Sequence, residues 1–308
     1  MENIIKKADI LVEAIPYIHA FRKKIFVIKY GGSILDNESI RRHVLEDIVF
    51  LSYVGIRIIL VHGGGPHIST RLKEAGMKSE FHNGIRVTDE QTLTIVSEEL
   101  DKLNKQIVQE IRLLKGDVTG LKGEENIICV EKKKAEKELG FVGTITSINR
   151  EAIESHLRKG RITVLSPMGV SVDHQPHNVN ADEVASAIAS SMNAEKLVLL
   201  TNVAGVLRHP EDPSSLISTL TIDEIDNLIK NNVIQSGMIP KVNACIEALN
   251  GSVSKTHIID ARLQHALLLE FFTDLGVGTQ ILPATFVSNG QAGLPTNPVA
   301  NRQAGLKK

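Results

Sequence analysis

Short runs of β-branched and aliphatic residues recur along this chain, each followed by a longer stretch with helical spacing. The strand-like runs are residues 25–29, 56–61, 126–130, 162–165, 197–200 and 256–259. Helical patterns cover 37–54, 90–113, 181–192, 222–230, 239–249 and 263–272. Runs that are apolar throughout suit strands buried on both faces, and helical crossovers of this length join parallel strands. The expected fold is α/β, a mainly parallel open sheet sandwiched between helices. Such sheets bind ligands beyond the carboxyl ends of their strands. Two of the runs end there in glycine, within KYGGS and VHGGGP. No internal repeat interrupts the pattern.

Charge and composition remove several classes of function. There are 35 Lys+Arg against 36 Asp+Glu, a net charge of −1, so the electrostatic footprint of a nucleic-acid partner is missing. With 4% aromatic residues and no Trp, a base-stacking surface is also disfavoured. No apolar run approaches the ~20 residues that span a bilayer, and MENIIKKADI lacks the apolar centre of a signal peptide. Cys129 and Cys245 make neither a disulfide framework nor a CxxC zinc motif. The reading is a cytoplasmic protein without membrane or nucleic-acid partners, and with no metal assigned to protein ligands.

The two ends differ from the middle. Ile4, Ala8, Leu11, Ile15 and Ile18 form one helical stripe within residues 1–24. Pro16 falls inside it and predicts a kink, because proline has no backbone donor. The stripe needs a cover, which is either the domain itself or another subunit. Residues 283–308 hold three of the ten prolines and no acids, and read as a disordered tail.

Candidate chemistry clusters at the glycine turns. Lys29 is followed by Gly31, Gly32 and Ser33, which fits either an ordinary βα turn or backbone donors exposed to an anion. Gly63, Gly64 and Gly65 repeat the arrangement, and two such loops at neighbouring strand ends favour an anion site. Neither loop is GxxxxGK[ST] or GxGxxG. Arg86 suits a carboxylate, although a lone arginine is more often a surface ion pair. Asn178 and Asn180 precede a small-residue helix that contains Asp182, so capping competes with ligand binding. His174 and His177 read as loop residues. Lys241 sits just inside a helix start, where a positive charge opposes the dipole and a bound phosphate is one remedy.

In this order and spacing, IKYGGS, VHGGGPHI, NGIRVTDE, HNVNADEVA, LLTNVAGVL, SGMIPKV and HIIDARLQHALLLEFFTDLGVGTQI resemble the N-acetylglutamate kinases of the amino-acid kinase family. The similarity spans roughly residues 25–282. Ala261 and Ser236 depart from the pattern, each replacing an expected glycine. The resemblance implies transfer of the ATP γ-phosphoryl group, with Mg²⁺, to the side-chain carboxylate of N-acetyl-L-glutamate in arginine biosynthesis. It implies Lys29, Lys241 and Asp182 as catalytic residues. Gly64, Gly65, Arg86 and Asn178 are then substrate-binding, and Gly31 and Gly32 bind phosphate. The chain divides into an acyl-amino-acid lobe, 25–195, and a nucleotide lobe, 196–282. The chain also resembles the arginine-sensitive subgroup, which implies a hexamer built as a trimer of dimers through the N-terminal helix. It also implies an L-arginine inhibitor site at Tyr17, His257, Glu270 and Gly276. The rival expectations are a glutamate 5-kinase or carbamate kinase type of enzyme, or an arginine-binding assembly whose catalysis has lapsed.

Overall fold

The computed structural model describes residues 2–273 and 276–284. Its elements begin with α1 (Glu2–Glu13), α2 (Ile15–Phe21), β1 (Ile25–Tyr30), α3 (Gly32–Leu35), α4 (Glu38–Tyr53) and β2 (Arg57–His62). Next come α5 (Gly65–Glu74), the short β3 (Phe81–His82) and β4 (Ile85–Arg86), α6 (Glu90–Leu113), β5 (Val118–Lys122) and β6 (Ile128–Lys132). The middle continues through β7 (Gly143–Ile148), α7 (Arg150–Leu157), β8 (Ile162–Ser166), β9 (Met168–Val170), β10 (Pro176–Asn178) and α8 (Ala181–Ser191). The remainder is β11 (Lys196–Thr201), β12 (Thr219–Thr221), α9 (Ile222–Lys230), α10 (Ile239–Asn250), β13 (Lys255–Asp260), α11 (Ala266–Phe272) and β14 (Thr279–Leu282).

Eight strands form the central sheet in the order β12-β14-β13-β11-β1-β2-β8-β5. All neighbours are parallel except β13 and β14. Successive side chains on β1 enter opposite cores. Ile25 and Val27 join a layer containing Val184 of α8 and Val242 of α10, whereas Phe26 and Ile28 join one containing Ile48 of α4 and Leu267 of α11. Every residue of β1 and of β11 is buried, which is why those runs are apolar without alternation.

One strand-like run lies outside this sheet. Residues 126–130 correspond to β6, which belongs to a second, four-stranded sheet in the order β10-β9-β6-β7. Its apolar run stops at Val130, and the strand ends in the exposed Glu131 and Lys132. One edge of the central sheet is β5, whose sequence VTGLK is too mixed to stand out, and the other is the three-residue β12.

The predicted kink is a real break. α1 ends at Glu13, and Pro16 stands in the first turn of α2 with no N–H to offer. α2 packs on the domain through Tyr17 against Phe272 and Phe21 against Phe26 and Phe271. α1 does not: Ile5, Ile10, Leu11 and Val12 are exposed, as is Ile15 at the break. Of the two covers considered for the stripe, this chain's own domain supplies only the α2 end. The tail reading lies outside the described residues from position 285 onward. Among the described residues, no helix is long and apolar enough to cross a membrane.

Candidate active site

The carboxyl end of β1 places Lys29 beside the first turn of α8, where its Nζ lies 2.8 Å from Asp182 Oδ1. Lys241 reaches the other oxygen of the same carboxylate, 3.5 Å from Oδ2, out of the first turn of α10. Lys29 and Asp182 are buried. Burial alone would raise the Asp182 pKa, but the two ammonium groups outweigh it and hold the carboxyl below its usual range. Lys241 is pushed below the usual lysine range by burial, with Lys29 adding to the effect and Asp182 opposing it. One anion thus tethers two cations that enter from opposite parts of the sequence. The charge at the start of α10 is answered by Asp182, not by the helix itself.

Beside Lys29 a cavity of about 260 Å³ opens between Gly64, Gly65, Arg86, Asn178 and Asp182. Its volume suits a small ligand. Gly64 caps α5, and a Cβ there would lie 2.7 Å from Leu100 Cδ2. A Cβ at Gly65 would meet no protein atom within 4 Å, so this glycine leaves open space in the cavity wall. Gly31 is held close to the backbone, its Cβ position 3.0 Å from the Leu200 carbonyl oxygen and 3.9 Å from Lys29 Nζ. Gly32 begins α3 directly after it.

Arg86 is presented by a two-residue hairpin. Asn83 and Gly84 have φ of 50° and 79°, the left-handed pair that tight β-hairpins require, and they join β3 to β4. The buried guanidinium donates to Ser79 Oγ at 2.8 Å, Ser69 Oγ at 2.9 Å and the Gly65 carbonyl at 3.1 Å. It also lies 4.6 Å from the centre of the Phe81 ring. These partners are all neutral, and burial pulls the Arg86 pKa below its ordinary value. The surface ion-pair alternative is therefore not what the structure contains. Asn178, on β10, donates to Thr88 Oγ1 at 3.2 Å. Asn180 is the helix cap, accepting from the amides of Asp182 and Glu183. The two asparagines have separate duties.

His177 corrects a loop assignment: it is buried on β10, while His174 sits in the preceding turn with φ of 63°. Ser69, Ser79 and Phe81 around Arg86 carry no motif and were not expected. Nor was His62, fully buried at the end of β2 and lowered to about 4 by burial.

The four residues considered for an effector also converge. His257 Nδ1 is 2.7 Å from Glu270 Oε1, and the other Glu270 oxygen accepts from the amides of Val277 and Gly278 at 2.7 and 3.0 Å. A Cβ at Gly276 would stand 3.2 Å from Glu270 Oε2. Tyr17 packs nearby on Phe272. Lys196, missed in the sequence, lies 3.2 Å from His257 Nε2 and between the rings of Phe21 and Phe271. Burial lowers Lys196 to about 8 and His257 to about 4. A lysine opening an otherwise apolar strand was the available signal. Lys196 pairs with Phe26, three residues before Lys29 on β1, so this group lies towards the amino end of the sheet.

A mostly parallel sheet covered by helices on both faces, with glycine turns at its strand ends and two lysines tethered to one carboxylate beside them, has the layout of an α/β phosphotransferase. Residues 24–260 match the Amino acid kinase family, and the chain belongs to that family. It is 45% identical over 285 residues to the acetylglutamate kinase of Desulforamulus reducens, covering 92% of this chain and 99% of that protein. Against the acetylglutamate kinase of Clostridioides difficile it is 45% identical over 280 residues, covering 90% and 97%. Among solved structures it matches N-acetylglutamate synthase from Neisseria gonorrhoeae, complexed with coenzyme A and N-acetyl-glutamate. The TM-score is 0.81 at 26% identity, over 89% of this chain and 63% of that one. The carbamate kinase of Giardia lamblia bound to AMP-PNP gives 0.62 at 14% identity, over 85% and 99%, a likeness of fold. The chain is a kinase of amino-acid biosynthesis, and its family implies ATP as donor.

Proposed function

We propose that this kinase transfers the γ-phosphoryl group of ATP to the side-chain carboxylate of N-acetyl-L-glutamate, giving the acyl phosphate. The observation that carries the reading is the buried, neutrally partnered Arg86 guanidinium on the wall of a small cavity beside the Lys29–Asp182–Lys241 tether. A guanidinium so placed suits the α-carboxylate of an acyl amino acid, which it grips with a planar fork. Asn178 assists from β10, Gly65 leaves room at the cavity wall, and Gly64, whose Cβ position faces Leu100, serves through its backbone. The side-chain carboxylate then points towards Lys29.

A glutamate carboxyl has pKa ~4.3 and is ionised at neutral pH, so the nucleophile needs no general base. The obstacle is repulsion between two anions and the charge that spreads over the transferring group. Lys29 and Lys241 supply the compensating charge, and Asp182 keeps them from splaying apart. Gly31 and Gly32 serve the phosphates. Both Asp182 oxygens face ammonium groups, so the donor set fits a Mg²⁺ that is held mainly by the nucleotide's phosphates. When bound, Mg²⁺ neutralises phosphate charge. We assign the acceptor to residues 25–195 and the nucleotide to residues 196–282.

The proposal extends to regulation and assembly. L-arginine acts as feedback inhibitor at the Tyr17, His257, Glu270 and Gly276 group, and the exposed apolar side chains of α1 join dimers into a hexamer. The resemblance to arginine-sensitive relatives and the exposure of α1 support this reading. A substrate panel tests the whole. With ATP and Mg²⁺, acyl phosphate is trapped as hydroxamate from N-acetyl-L-glutamate, L-glutamate and carbamate, with and without L-arginine. The expected kcat/KM for N-acetyl-L-glutamate exceeds the others by about a hundredfold or more, as discrimination by a buried polar site allows. Equal or greater turnover of L-glutamate or carbamate overturns the substrate assignment.

A further inference from the structure

A second cluster lies where α4 meets the start of α11. His43 and Glu46 stand one turn apart on α4, so their side chains leave the helix on one face. His265 approaches from the residue preceding α11, with its ring centre 5.4 Å from that of His43. The three side chains offer two imidazole nitrogens and a carboxylate oxygen, all within 4.8 Å of one another.

We propose that His43, Glu46 and His265 bind one divalent transition-metal ion of the zinc class. Three features favour a metal over a chance grouping. His43 Nδ1 is buried, makes no hydrogen bond among the described residues, and lies 3.5 Å from Glu46 Oε2. The other Glu46 oxygen is held by Arg42 Nε at 2.9 Å, which fixes the carboxylate in place. His265 Nδ1 lies 2.7 Å from the buried carboxylate of Asp47, which also accepts from the Leu267 amide. That bond leaves Nε2 as the coordinating nitrogen and orients the ring, the usual outer support of a metal-bound histidine.

Two nitrogens and one oxygen match zinc, cobalt or nickel. Mg²⁺ and Ca²⁺ prefer sets built from oxygen alone. A tetrahedral zinc ion with bonds of about 2.1 Å places its ligand atoms roughly 3.4 Å apart. Side-chain rotations of about an ångström therefore close the cluster on the ion, with water as the fourth ligand. The ion fastens α4 to the amino end of α11, the helix that carries Glu270. It is separate from the Lys29 cavity, and the inference does not depend on the acceptor assignment.

Tag-free, chelator-stripped protein is titrated with Zn²⁺ and Co²⁺ by calorimetry, with Mg²⁺ as control. Expected are one Zn²⁺ per chain, a rise in Tm with Zn²⁺ but not with Mg²⁺, and the visible absorption of tetrahedral Co²⁺. His43→Gln leaves the Asp47–His265 bond intact. It is expected to weaken Zn²⁺ binding at least tenfold while keeping wild-type kinase turnover without zinc, which shows that it folds. His265→Asn gives the same loss of zinc affinity. Absence of stoichiometric Zn²⁺ binding, or unchanged affinity in folded His43→Gln, overturns the proposal.

Discussion

A guanidinium surrounded by two serine hydroxyls, a backbone carbonyl and a phenyl face stays charged only because arginine holds its proton so strongly. In the proposed complex the acceptor's carboxylate supplies the missing countercharge. Arg86→Lys keeps the charge but loses the fork. Its KM for N-acetyl-L-glutamate should rise at least tenfold, about 1.4 kcal/mol, with KM for ATP unchanged. A fall in ATP affinity instead would move Arg86 to the nucleotide side. In the proposed reaction the lysines act on the moving charge rather than on the bound acceptor. Lys29→Ala and Lys241→Ala should therefore each lower kcat by about 10²–10³ while acceptor KM stays within a few-fold. Asp182→Asn gives a different signature. Removing the carboxylate that helps hold the Lys241 proton moves the alkaline limb of the kcat profile to lower pH. An unshifted alkaline limb would mean that Asp182 does not tune the pair.

Elements decide whether Arg86 and Asn178 can meet. Thr88, two residues beyond Arg86, receives a hydrogen bond from Phe141 N at 2.7 Å, and its own amide donates to Leu139. Phe141 in turn accepts from Asn178 N at 2.9 Å. Gly140 lies at the centre of this seam with φ of +72°, and a Cβ there would collide with the Thr88 carbonyl. Gly140→Ala should cost about 2–3 kcal/mol in urea unfolding, from left-handed strain and the forced shift together. Residual folded enzyme should show a raised acceptor KM and a normal ATP KM. Wild-type stability would mean that the seam yields freely. Nothing in the sequence announced this seam, because backbone pairing between distant loops leaves no periodicity. Five strands of the central sheet, β1, β2, β8, β11 and β13, were legible for the opposite reason: burial on both faces demands apolar residues throughout. β5, β12 and β14, towards its edges, carry no such run. The lysines and glycine turns were legible as motifs. Ser69 and Ser79 were not, since serines that support an arginine look like any other loop serines. Lys196, the charge that opens the apolar strand β11, was legible only as an exception to that strand's pattern.

The whole molecule combines buried ionisable groups with an uncovered end, and each predicts a behaviour. His62 is neutral inside the fold, donating to the Gly63 carbonyl and facing Asn104, with its pKa lowered to about 4 by burial. The unfolded chain takes up this proton near pH 6.5. The stabilising contribution of neutral His62 is therefore full above pH 6.5 and is lost as pH falls through about 4. The loss is on the order of 3 kcal/mol. His257 titrates in the same sense, while Asp47, raised to about 6 by burial, opposes part of the fall. Urea unfolding should show stability decreasing from pH 6.5 to 4, with the His62 ring resonance unmoved between pH 7 and 5. A His62 midpoint near 6.5 would contradict its burial. At the N-terminus, Tyr17 and Phe21 belong to the domain core, so removing all of α2 would expose Phe26 and Phe271 as well as dissolve contacts. Deletion of residues 1–13 isolates the question, because it removes Ile5, Ile10, Leu11 and Val12 and leaves α2 packed. In the proposed assembly these exposed apolar side chains meet their counterparts on another copy, as a joint between dimers. The truncated enzyme should sediment as a dimer with near-normal turnover. Its inhibition by L-arginine should be much weaker, since α1 would no longer link subunit arrangement to the Tyr17 wall of the effector group. Arginine is an allosteric inhibitor only if its affinity differs between subunit arrangements, so arginine must in turn shift the dimer–hexamer equilibrium of the full chain. A truncated protein that stays hexameric, or that keeps full arginine sensitivity, would remove α1 from both roles.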